Sequence, residues 1–220
     1  MKLRRHFQPL LLCGFLFLAP LNSIASQVVY QNFAPGSDPI NVVRDVGQAS
    51  NYAIAQRFIP NATGLLDSIS AFISTESSDA PLLIVDIRSD LYGSSLATAT
   101  TTSDQFFPDR SLKKIDFTGS NVELVANQVY FAVFRVAHST GAPGDGYYDL
   151  WSVPDGPYSG MSAPLFSQDG GQVSWYDVPL SHQEEVGLVV TVVPEPATAS
   201  LFFIAAALVA NYYSRSRCAT

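Results

Sequence analysis

Between residues 26 and 193 the apolar residues come in short runs, and no run sustains a 3.6-residue period. Gly, Pro, Ser and Asp break the pattern every few residues. A chain written this way has no long amphipathic helix to build with, so it must bury its apolar residues from strands. Strands are expected at 28–33, 52–59, 65–74, 82–89, 113–117, 129–137, 148–153, 174–178 and 186–193, runs rich in Val, Ile, Phe and Tyr. Alternation assigns faces in several of them. Tyr52, Ile54 and Phe58 share one face and Arg57 takes the other; Leu83, Val85 and Ile87 oppose Asp86 and Arg88. The run 129–137 is apolar on both faces except at Arg135, which reads as a central strand. Turn chemistry separates the runs at 60–64, 90–93, 143–146, 154–157 and 169–171. The expected fold is all-β: a two-sheet β-sandwich of jelly-roll type.

The two ends are of different character. Lys2, Arg4 and Arg5 precede an apolar stretch from Leu10 to Leu21, and Ser23-Ile24-Ala25 supplies small residues for a cleavage site after Ala25. Residues 1–25 are therefore expected to be a secretory signal helix. At the other end the run Leu201 to Ala210 has no charge and no helix breaker. A helix over 197–213 would be about 26 Å long, enough for a thin bilayer. Tyr212 and Tyr213 sit where interfacial aromatics belong, and Arg215 and Arg217 would hold that end on the cytoplasmic side. The expected organisation is a signal peptide (1–25), a β-sandwich (26–193) and a tail (194–220) with a single membrane helix.

The tail resembles the PEP-CTERM sorting signal: Pro194-Glu195-Pro196, a short apolar helix, then Arg215 and Arg217. The resemblance implies an exported bacterial protein, held in the inner membrane and processed by an exosortase, with the cell surface or extracellular matrix as its destination. The middle is similar to the choice-of-anchor domains of R type. Ala55-Gln56-Arg57-Phe58, Leu66-Asp67-Ser68-Ile69-Ser70-Ala71, Ile87-Arg88-Ser89-Asp90, Val122-Glu123-Leu124, Val129-Tyr130-Phe131-Ala132-Val133 and Trp175 carry that similarity in order. These are β-sandwich modules found ahead of interchangeable sorting tails, and they bring no catalytic residues with them.

Charge and cysteine content narrow the function classes. Five of the 12 basic residues lie in the two ends, which leaves the middle strongly acidic. Such a body is repelled by nucleic acid. Cys13 and Cys218 both fall in segments expected to be removed, so the mature body has no disulfide and no cysteine nucleophile. The histidines His138 and His182 are far apart and form no metal-spaced pair. Glu184 and Glu185 are adjacent, which on a strand would turn them to opposite faces and make a poor acid–base couple for a weak glycan hydrolase. A calcium site would draw on Asp145 and Asp149, although their spacing does not fit an EF-hand loop. No other cofactor is expected. Tyr147, Tyr148, Trp151 and Trp175 concentrate the aromatic surface, and a carbohydrate-binding module would use them as stacking anchors; the alternative is that both indoles plug the space between the sheets. The leading expectation is a non-enzymatic surface or matrix protein whose partners are the exosortase, the inner membrane and an exopolysaccharide.

Overall fold

The computed structural model of the chain describes residues 25–39, 42–47, 53–75, 80–106, 110–137, 147–152, 165–167, 174–177 and 185–194. Residues 1–24 of the expected signal segment and residues 195–220 of the expected sorting tail lie outside them. The described residues form two antiparallel sheets. The first has the spatial order β1 (Gln27–Gln31), β13 (Leu188–Val193), β4 (Gly64–Thr75), β10 (Tyr147–Trp151), β2 (Val42–Gly47). Within it β7 (Leu112–Asp116) and β8 (Glu123–Leu124) also pair with β4. The second runs β12 (Tyr176–Asp177), β11 (Leu165–Ser167), β3 (Ala53–Phe58), β9 (Tyr130–Val136), β5 (Leu83–Arg88), β6 (Ala97–Thr101).

The period of two explains how these strands close on each other. Leu83, Val85 and Ile87 are buried, as are Ile54 and Phe58 on β3 and Tyr130, Ala132 and Phe134 on β9. They meet Leu66, Ile69, Ala71 and Ile73 of β4, and Leu188, Val190 and Val192 of β13, in one continuous core. Aromatic rings join the layers. Phe58 stacks on Tyr130 at 5.7 Å and meets Tyr30 at 5.8 Å, while Phe106 stands edge-on to Tyr148 at 5.6 Å. As its double-sided apolar pattern predicts, β9 is central, flanked by β3 and β5.

The long strand β4 organises the first sheet and needs a bulge to do so. Ser68 faces Thr191 and Leu66 faces Val192, so Asp67 is the extra residue on β4. The insertion lets Leu66 and Ile69 both point into the core, although their numbers differ by an odd count. Gly64 opens the strand because a Cβ there would lie 2.7 Å from Val192 Cγ2 and 2.8 Å from the Val193 carbonyl. The turn into β9 is fixed by Asn127 in the left-handed region (φ 63°), whose N–H donates to the Pro60 carbonyl at 2.8 Å.

Candidate functional site

The aromatic residues singled out above do not share a surface. Tyr148 and Leu150 point into the core from β10. The Tyr148 hydroxyl donates to the Pro81 carbonyl at 2.6 Å, and burial pushes its pKa up to about 12. That side chain has no surface to offer a glycan. Trp151 points the other way, onto the outer face of the first sheet, where it packs with Phe33, Phe72 and Val189. Its indole N–H donates to Ser74 Oγ at 2.9 Å, and the guanidinium of Arg110 lies 4.3 Å from its ring centroid. The ring face that a sugar would need is occupied by that cation. Tyr147 is half-buried on the same strand, and its carbonyl accepts from Thr75 Oγ1 at 2.7 Å.

Trp175 belongs to the outer face of the second sheet, against Ala55, Leu91, Val133, Phe131 and Leu165. Neither indole sits between the sheets, and the two lie on opposite sides of the sandwich. A single platform built from both does not form. Asp149 lies on β10, half-buried, whereas Asp145 lies outside the described residues. Among the described residues no group of three or more His, Cys, Asp or Glu converges. His138, His182 and Glu184 also lie outside the described residues. Glu185 is buried, and its carboxylate accepts from Asn32 Nδ2 at 3.1 Å. Asn32 also gives its second N–H bond to the Val186 carbonyl and accepts the Leu188 N–H at 2.8 Å. Gln56, from the opposite sheet, accepts the Val186 N–H at 3.0 Å. These residues clamp the start of β13 to β1 and β3, a structural duty.

The second sheet carries a charged cluster on its outer face that sequence reading split into separate strands. Asp86, only 1% exposed, accepts Arg135 Nε at 2.8 Å, Thr98 Oγ1 at 2.6 Å and Arg88 Nη2 at 3.4 Å. Burial works to raise the Asp86 pKa, but the bonds from Arg135 and Thr98 and the Arg135 charge outweigh it, and the carboxyl stays below its ordinary value. Arg88 also donates to the Leu91 carbonyl at 3.1 Å. This fastens the loop after β5 across the sheet, so that Leu91 covers Ala55 and Val133.

Two of the residues expected to act in export and sorting, Ala25 and Pro194, lie at the same end of the fold. Ala25 is exposed and lies two residues before β1, and Pro194 directly follows β13. The two strands are antiparallel neighbours, with Gln27 opposite Val192. The chain therefore enters and leaves the sandwich at adjacent points. Glu195, Pro196, Arg215 and Arg217 lie outside the described residues. Among the described residues no helix is long and apolar enough to cross a membrane. No protein-family model matches the chain, and no curated protein matches it.

Proposed function

We propose that this chain is an exported, non-enzymatic surface or matrix protein. Its C-terminal helix parks it in the inner membrane, and an exosortase reads Pro194, Glu195 and Pro196 at the outer face. The observation that carries this reading is the pairing of β1 with β13. The sandwich closes between Gln27 and Val193, so a cleavage after Ala25 and a tail from Pro194 onward would both be peripheral to the core. Both would also sit at the same end of the body, the end that faces the bilayer. In this reading the eight strands β1-β13-β4-β7 and β3-β9-β5-β6 form a jelly roll. Of the remaining strands, β11 and β12 extend the edge at β3, whereas β8 and β10 pair along β4 and β2 follows on β10.

The mechanism is physical. The signal helix starts translocation, and the apolar run at 201–210 halts it. Arg215 and Arg217 remain in the cytosol because basic residues are retained on that side. The acidic body, free of disulfides, folds outside and is handed to an exopolysaccharide matrix. Replacing Arg215 and Arg217 by Glu is expected to lower the membrane-bound fraction at least severalfold; unchanged fractionation overturns the topology. Intact mass of the protein from its own organism should show loss of residues 1–25, and either a tail cut near Pro196 or an added group there.

A further inference from the structure

An edge strand leaves a row of backbone donors and acceptors open to any other chain, and proteins usually blunt such edges with charge, bulges or shortness. Most free edges here are treated that way. β1 carries a bulge between Val28 and Tyr30. β2 contains Arg44 and Asp45, and its register with β10 shifts at Leu150/Trp151. β7 contains Lys113, Lys114 and Asp116, β8 has two residues including Glu123, and β12 has two including Asp177.

β6 is the exception. Its sequence Ala97-Thr98-Ala99-Thr100-Thr101 has no charge and no proline, and it keeps an unbroken register with β5 from Ile87↔Ala97 to Leu83↔Thr101. Thr98 and Thr100 are exposed. Among the described residues its hydrogen bonds beyond the pairing with β5 are those of the Thr98 hydroxyl to Asp86 and the Thr101 hydroxyl to Gln105. Among the described residues no strand pairs with its outer edge.

We propose that β6 pairs antiparallel with β6 of a second copy, joining two six-stranded sheets across a two-fold axis at Ala99. The sequence is self-complementary in that register. Thr98 meets Thr100 of the second copy, Ala97 meets Thr101, and Ala99 meets itself. Thr–Thr pairs are favourable cross-strand neighbours, and the joint adds about four to six main-chain hydrogen bonds. Charge selects this edge. Two acidic bodies repel each other over most of their surfaces. Along β6 there is no charge to repel, and the nearby Asp86 is already matched by Arg135 and Arg88. Leu82 and Leu96, both exposed, lie beside the two ends of the strand and supply apolar rims.

The test uses the full chain in detergent, with Cys13 and Cys218 changed to Ala. Sedimentation velocity over a concentration series should show a reversible dimer. Thr100→Lys should raise the concentration needed for half-dimerisation at least tenfold while leaving the near-ultraviolet circular dichroism unchanged. A second pair of variants fixes the register without relying on that substitution. Ala99→Cys should form a dimer crosslink under mild oxidation, because opposed Cα atoms lie about 4.5–5.5 Å apart, within disulfide range. Thr100→Cys, which faces residue 98, should crosslink far more slowly. A chain that stays monomeric at every concentration overturns the proposal. So does a dimer that survives Thr100→Lys with the fold intact, or equal crosslinking by the two cysteine variants.

Discussion

Asp86 shows how a single carboxylate holds a sheet face together. It sits at 1% exposure with two arginines and a threonine hydroxyl directed at it. Removing its charge leaves Arg135 and Arg88 facing each other over apolar neighbours, so Asp86→Asn is expected to cost about 1–3 kcal/mol at pH 7. The pH dependence follows from the direction of its shift. Its folded pKa is below the ordinary value of 3.8, so its contribution is complete above that value and is lost as pH falls through the folded pKa. Urea melts of wild type and Asp86→Asn should therefore converge well below pH 4 and separate fully by pH 6. Tyr148 titrates in the opposite sense. With its pKa raised to about 12, its share of stability is full below pH 10 and declines as pH rises toward 12. In a 295 nm titration the Tyr148 phenol should ionise late, and its step should vanish in Tyr148→Phe. The same variant gives up the bond to the Pro81 carbonyl and should lose about 1 kcal/mol of stability.

At the scale of the element, β4 is the strand whose start tolerates least. Gly64 lies against Val192 and the Val193 carbonyl too closely for any Cβ, so Gly64→Ala must push β13 outward or bend β4. A loss of about 1–3 kcal/mol in chemical denaturation is expected; an unchanged midpoint would mean that the start of β4 is looser than its packing indicates. How well such elements could be read beforehand depended on side-chain contrast. β5, β3 and β9 were legible because large apolar residues alternate with Asp86, Arg57 or Arg135. β6 was not, since Ala and Thr give almost no hydrophobic contrast, and β2 was hidden by the interior charges Arg44 and Asp45. The bulge at Asp67 breaks the period of two inside one continuous run, which sequence alternation alone cannot show. The Trp151–Arg110 contact and the Asp86 cluster were equally out of reach, because each joins residues from separate strands or loops. Trp151 and Trp175 were expected to matter as a pair, yet the inward or outward sense of a strand end depends on registers that no single segment encodes.

For the whole molecule the decisive relation is that Gln27 opposes Val192. Opposed residues in an antiparallel pair have Cα atoms about 4.5–5.5 Å apart, so the two ends of the sandwich can be joined by a few residues at small entropic cost. This permits a circular permutant that dispenses with both end segments. Residues 26–193 would be closed by a short Gly/Ser linker and reopened at the exposed turn between Thr118 and Gly119, where Ser120 N–H bonds the Phe117 carbonyl. Opening that turn removes one backbone bond and little packing, and the product should keep the β-sheet circular dichroism of the parent. Its stability should fall by no more than about 1–2 kcal/mol. The experiment separates two accounts of the tail. If the apolar run at 201–210 completed the core, the permutant would lose that contact and collapse into a molten or aggregated state. If the sandwich closes on its own strands, the permutant folds without the run. The apolar run is then free to enter a bilayer, as the proposed sorting mechanism requires of it.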